Sequence, residues 1–212
     1  MSTLDFIQNK FNLDLTSKRL PIAIPNFGRN QLAELLHELD FKKGVEVGVA
    51  AGEYLEILSK HNPQMKLWGV DPWSPQKGYR DYTRSSTFDR LRQDAEKRLN
   101  RAGNTEFLVM TSAEALGQFK DDSVDFVYID ADHSFNHVVF DIHEWLAKLR
   151  PGGIIAGHDY FKPSNHARIH VVQAVNGYTS SWGIHPWFVL GNEANNEGLI
   201  RDIPRSWMWV KE

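Results

Sequence analysis

Two stretches of this chain, "VDFVYID" (124–130) and "GGIIAGH" (152–158), are apolar at successive positions instead of every second one. A strand built that way has both faces covered, as in a parallel sheet with helices on either side. Similar runs recur, so strands are expected over Gly44–Val49, Lys66–Asp71, Thr105–Met110, Val124–Asp130 and Gly153–His158. Amphipathic stretches separate them: Glu53–Lys60, Thr83–Arg101, Ala113–Phe119 and Ser134–Leu149 read as helices. In the last, Phe135, Val138, Val139, Ile142, Leu146 and Leu149 mark one stripe, with Asp141, Glu144 and Lys148 expected mostly opposite. "RPGG" (150–153) is expected to stop that helix. Strand–helix alternation repeated this often predicts an α/β fold with a doubly wound, mostly parallel sheet.

The two ends of the chain differ from its middle. Residues 1–40 carry two expected helices, Thr3–Phe11 and Arg29–Asp40, read as a helical extension packed on a domain spanning 41–212. "GIHPWFVLG" and "SWMWVKE" read as two strands with no helix between them, an antiparallel pair closing the far edge of the sheet. The tail's Trp182, Trp187, Trp207 and Trp209 are assigned to core or dimer surface, which leaves a homodimer open. A chain of 212 residues with a net charge of −3 gives no electrostatic reason to bind nucleic acid or an anionic membrane. The absence of cysteine excludes disulfides, thiolate zinc sites and cysteine nucleophiles. With no signal-peptide pattern and no apolar run near the roughly 20 residues of a membrane span, the expectation is a soluble, cytoplasmic, single-domain protein.

The stretch Gly44–Gly52, "GVEVGVAAG", ends a strand in two glycines four apart and carries a glutamate. Ligands of open parallel sheets bind beyond the carboxyl ends of the strands. A dinucleotide-binding turn would read Gly-x-Gly-x-x-Gly, but Glu46 occupies the place of its first glycine and Glu53 opens the next helix. Each carboxylate would repel a pyrophosphate by on the order of a few kcal/mol at close range. A ligand carrying positive charge fits better.

Glu46-x-Gly48-x-x-x-Gly52 resembles the first motif of class I S-adenosylmethionine-dependent methyltransferases. "LWGVDPW" resembles the second, with Asp71 and Pro72 beside the ribose. "MTSAEAL" resembles the adenine-contacting turn, which implies that Ser112 and Ala113 lie near the base, and "VDFVYID" and "LRPGGIIAG" resemble the later motifs. The resemblance covers roughly Lys42 to Tyr160 and the terminal strand pair. It implies S-adenosylmethionine as cofactor, with Asp130 also in its site.

"YIDADHSF" and "GHDY" bring Asp130, Asp132, His133, His158 and Asp159 to neighbouring strand ends. The arrangement resembles metal-dependent O-methyltransferases of the catechol, caffeoyl-coenzyme A and sugar type. That resemblance implies a divalent cation, magnesium or manganese, on Asp130, His158 and Asp159, with His133 or Asp132 as the base that takes the acceptor's proton. His158 stands where those families carry an oxygen ligand, and imidazole suits manganese, iron or zinc better than magnesium. The alternative is that Asp132 and His133 simply begin a helix, an aspartate there capping backbone amides. His133 with His137, and His166 with His170, have the spacing of helical zinc pairs but lack the accompanying glutamate.

The segment "PWSPQKGYRDYTRSSTF" combines Trp73, Tyr79, Tyr82 and Phe88 with Lys77, Arg80 and Arg84, and reads either as a lid over a small, anionic acceptor or as a solvated connector whose aromatics pack on the body. Rival functions are a nicotinamide oxidoreductase, a nucleic-acid methyltransferase, a non-catalytic cofactor-binding protein and a metal-independent small-molecule methyltransferase. The turn's glutamate opposes the first. The second's Asn/Asp-Pro-Pro-Tyr is replaced here by "DADH".

Overall fold

The computed structural model describes residues 1–76, 84–162, 169–193 and 199–212. Among these, eight strands form one sheet in the order β1-β7-β8-β6-β5-β2-β3-β4. They are β1 (Ile22–Ile24), β2 (Lys43–Val47), β3 (Lys66–Val70), β4 (Thr105–Leu108), β5 (Val124–Ile129), β6 (Leu149–Gly157), β7 (Phe188–Leu190) and β8 (Ser206–Val210). All pairings are parallel except those of β8, which runs antiparallel to β6 and β7. The chain builds outward from β2 through β3 to β4, then returns to place β5 on the other side of β2. The sheet therefore has its switch point between β2 and β5, where a crevice opens above the strand ends.

Alternation along β5 divides the core into two layers. Phe126 and Tyr128 pack with α1 (Thr3–Phe11), α2 (Arg29–Glu38), α3 (Glu53–His61) and α4 (Ser85–Leu99). Val124, Val127 and Ile129 pack with α5 (Ser112–Ala115), α6 (Phe135–Lys148) and α7 (Val171–Ser181). Period-2 alternation sends successive side chains to opposite faces, so a strand covered on both sides must be apolar throughout.

Several expectations are corrected. The antiparallel pair exists but does not close the sheet: β1, from the N-terminal segment, lies outside β7. That segment therefore supplies a strand as well as its two helices. Helix α7 precedes β7 where no helix was expected. The helix ends at Lys148, just before "RPGG" as expected, but the strand expected from Gly153 already begins at Leu149 and takes "RPGG" into β6. The extra residues are absorbed as a register shift, with Val124 opposite Leu149 and Phe126 opposite Ile154. On α6 the buried stripe is Val138, Asp141, Ile142 and Trp145, while Phe135 is 43% exposed. Of the tail tryptophans, Trp187, Trp207 and Trp209 are core and Trp182 is exposed.

Candidate functional site

The turn after β2 lies tightly against the end of β5. Gly48 has φ +92°, and a Cβ there would sit 2.2 Å from the Asp130 carbonyl oxygen. No other residue fits without moving backbone. The next residues are strained: Ala50 at φ 47° and Trp73 at φ 40° occupy the left-handed region, which costs a residue with a Cβ roughly 1–2 kcal/mol. Asp71 holds this geometry. Its Oδ2 accepts from the Val49 and Ala50 amides at 3.0 and 2.9 Å, and its Oδ1 from the Trp73 amide at 2.8 Å. The Trp73 indole donates to the Ala50 carbonyl at 2.8 Å, closing the ring of contacts. Burial pushes the Asp71 carboxyl up, against the opposing pull of those three amides.

Above this turn lies a cavity of about 400 Å³. Gly48, Ala50, Asp71, Pro72 and Trp73 form one wall, Ser112, Ala113, Asp132, His137 and Asp141 another, and Asp130 lies between them. The second wall is tied together from inside: Trp145 Nε1 donates to Ser112 Oγ at 2.9 Å, and Ser112 Oγ donates to Asp141 Oδ1 at 2.5 Å. Burial pushes the Asp141 carboxyl up to about 6. Asp132 accepts from the Ser134 amide at 2.8 Å, at the start of α6, and lies 3.4 Å from His137 Nδ1. It thus serves the helix start while facing the cavity. His137 turns to Ser134 and Asp132 and His133 turns elsewhere, so these two do not converge as a zinc pair.

Next to the cavity, beyond Asp130, carboxylates and imidazoles meet. His133 Nε2 lies 2.7 Å from Asp159 Oδ2 and 3.6 Å from Asp130 Oδ1. His158 Nδ1 is 3.5 Å from Asp130 Oδ2 and 3.7 Å from Asp159 Oδ2. Asp130, His133 and Asp159 each offer a ligand atom within 4.8 Å of the others, the one such group among the described residues. Asp159 is in the left-handed region at φ 56°, a further strained residue at this rim. Burial alone would raise the Asp130 carboxyl, but hydrogen bonds from His133 and His158 hold it well below the carboxylate range. Burial would lower the His158 imidazole, but its hydrogen bond to Asp130 and the charges of Asp130 and Asp159 together outweigh this and raise it.

The remaining sequence-predicted residues lie outside the cavity lining. Glu46 stands opposite Tyr128 in the β2/β5 register and is 2% exposed, with Oε2 making no hydrogen bond among the described residues. Burial, then the charge of Asp130, push its carboxyl well above the ordinary range. Arg29 is the nearby countercharge, its guanidinium 5.5 Å from the Tyr54 ring centroid. Gly52 caps α3 at φ +78°, and its missing Cβ would meet Ala95 of α4 at 3.0 Å, so it serves helix packing. Glu53 points out to Arg98 at 3.3 Å, in the first turn of α3. Of the expected lid, Lys77, Tyr79, Arg80 and Tyr82 lie outside the described residues, as does His166. Sequence reasoning missed Asp141. The signal was present, since Asp141 falls between Val138 and Trp145 on an apolar arc once Trp145 is counted into it.

A cavity at the switch point of a doubly wound sheet, beside a strand-to-helix turn, is where open α/β sheets hold their ligands. A family model described as methyltransferase domain matches residues 45–160, more than half the chain, and the chain belongs to that family. It is similar in fold to the O-methyltransferase of Bacillus cereus solved with S-adenosylhomocysteine, at 16% identity and TM-score 0.60 over 99% of this chain and 89% of that one. It is similar to the O-methyltransferase TomG of Streptomyces achromogenes, solved with S-adenosylmethionine, at 16% identity and TM-score 0.58 over 97% and 86%. A candidate rRNA methylase from Clostridium thermocellum is comparably similar, at 13% identity and TM-score 0.60 over 89% and 99%. In sequence, the chain is 23% identical over 129 residues to the uncharacterised protein y4gI of Sinorhizobium fredii. That alignment covers 59% of this chain and only 14% of the longer relative.

Proposed function

We propose that the chain transfers the methyl group of S-adenosylmethionine to a hydroxyl of a small, anionic molecule, with a divalent cation gathered by Asp130, His133 and Asp159 and flanked by His158. The observation that carries this reading is the double duty of Asp130: its backbone packs on the Gly48 turn and its carboxylate faces the two histidines. A cofactor cavity and an acid–imidazole cluster thus share one residue, as methyl donor and acceptor must share one reaction axis. The cofactor-bound states of the TomG and Bacillus cereus enzymes support the choice of donor.

The cofactor supplies a sulfonium methyl, and this chain's residues do the positioning. Gly48 and Ala50 give the methionine end a bare backbone to lie along. Asp71, with three of its roughly four acceptor positions used by amides, keeps one for a ribose hydroxyl. Pro72, Ser112 and Ala113 face the base. Glu46 backs the turn with a buried carboxyl, and Gly52 sets the entry angle of α3.

The donor set of two carboxylates and imidazole suits manganese, iron or zinc at least as well as magnesium. A bound cation would lower the acceptor hydroxyl's pKa and orient its oxygen. One observation favours a second, metal-free reading: at 2.7 Å from Asp159, His133 has the partner a general base needs to hold its ring and steady its charge. Asp132 is committed to the Ser134 amide and acts through the wall of the cavity. On the acceptor side, the Arg29 guanidinium feels Asp130 and Asp202, and offers a carboxylate or phosphate a partner.

Calorimetry on the chelator-stripped protein tests the reading with S-adenosylhomocysteine, NAD and manganese chloride as separate titrants. The nucleoside and manganese are expected to bind and NAD is not, with manganese uptake abolished in Asp130→Asn. Failure of the nucleoside to bind overturns the methyltransferase reading. Failure of manganese alone overturns the cation and leaves the His133–Asp159 base, which His133→Ala then tests by turnover.

A further inference from the structure

We infer that Arg29 selects the acceptor by its carboxylate, so that the site takes hydroxy acids and passes over neutral and phosphorylated molecules of the same shape. The inference rests on the methyltransferase reading of the site and narrows its acceptor to one chemical class.

Arg29 opens α2, and its main chain is fixed from two sides. Its amide donates to Asp202 Oδ2 at 3.0 Å, and the Tyr54 hydroxyl donates to its carbonyl at 2.9 Å. The preceding amide, of Gly28, is also engaged, by Gln31 Oε1 at 3.2 Å. The guanidinium differs from these groups. It is half-buried and lies over the Tyr54 ring, 5.5 Å from the centroid. Among the described residues it makes no hydrogen bond, and no carboxylate comes within ion-pair distance of it. Burial works against its charge, and the fields of Tyr128, Asp130, Tyr54 and Asp202 sustain it. A guanidinium drawn out of water with no anion in contact lacks the partner that would offset its desolvation. A ligand can supply one.

The position says which ligand. Arg29 is not among the residues lining the cofactor cavity. Its charge reaches Asp130 and His158, in the cluster proposed to hold the acceptor hydroxyl. An anion on Arg29 therefore belongs to the molecule that brings the hydroxyl. With an aromatic ring beneath it, a guanidinium keeps in-plane N–H groups for a partner, and a pair of them matches the two oxygens of a carboxylate. The balance of charge argues against a phosphate. His133 and His158 are turned to Asp130 and Asp159, and Arg205, over the Tyr160 ring, is engaged by Glu193 at 2.9 Å. Of these described cations only Arg29 is unengaged, and it matches a single negative charge. A second charge on the ligand would face Asp130 and Asp202 without a partner.

The test titrates 3-hydroxybenzoate, 3-hydroxybenzamide and 3-hydroxyphenyl phosphate into the full chain, stripped of metal and saturated with S-adenosylhomocysteine. The benzoate is expected to bind roughly tenfold or more tightly than the other two, and Arg29→Gln to remove that preference. The affinity of Arg29→Gln for S-adenosylhomocysteine is expected to change little. Equal affinities for the three probes, a preference that survives Arg29→Gln, or no binding of the benzoate overturns the inference. A tenfold loss of nucleoside affinity in Arg29→Gln also overturns it, by assigning the guanidinium to the cofactor's own carboxylate, and leaves the methyltransferase reading in place. Failure of S-adenosylhomocysteine to bind the unsubstituted protein overturns both. Should Arg29→Gln not fold, the three affinities on the unsubstituted protein decide, because a ratio near one between acid and amide overturns the inference.

Discussion

Replacing Asp141 by asparagine is expected to change how stability depends on pH. The carboxyl moves from 3.8 to about 6 on folding because burial disfavours its charge. Between those values the folded chain holds a proton that the unfolded chain has released. Unfolding free energy therefore falls as pH rises through this window, and Asp141 reaches its full penalty above about pH 6. The complete displacement is worth about 3 kcal/mol, and about 2 kcal/mol of it falls between about pH 4.5 and about pH 7.5. Asparagine keeps the acceptor for Ser112 and carries no charge. Urea unfolding of both proteins at the two pH values should show Asp141→Asn gaining about 2 kcal/mol on the unsubstituted protein as pH rises. A difference that stays constant across that range refutes the claim that Asp141 is a strained buried charge.

Two glycine substitutions separate the turn's contacts from its packing. Gly48→Ala drives a Cβ into the Asp130 carbonyl and should abolish S-adenosylhomocysteine binding in a fluorescence titration. Gly52→Ala meets Ala95 and a φ of +78°, and should lower stability by about 1–3 kcal/mol while nucleoside affinity changes little. Asp71→Asn leaves one carbonyl oxygen for three backbone donors. It should weaken nucleoside binding by roughly tenfold or more and unfold earlier in urea.

The sheet was legible in the sequence where strands are buried on both faces, because continuous apolar runs such as 124–130 leave no competing explanation. The edge was not. β1 is three residues, Ile22–Ile24, too short for any periodicity to register. Helix α7 is "VVQAVNGYTSS", whose β-branched residues and internal glycine argue against a helix until tertiary packing overrules them. At the site, the pairing of strand ends into one cluster followed from topology. The partner of His133 did not, since the left-handed backbone that swings Asp159 toward it leaves no mark in "GHDY". Asp141 was misassigned because a carboxylate was expected to face water. Its burial depends on Ser112 and Trp145, and Ser112 comes from a different element.

The bracing of the turn by Asp71 and the Trp73 indole sets the timing of ligand capture. With Ala50 already held in its disfavoured conformation by bonds internal to the protein, an arriving nucleoside finds a rigid mould and has no loop to organise. The ordering entropy is spent once, during folding, and not at each catalytic cycle.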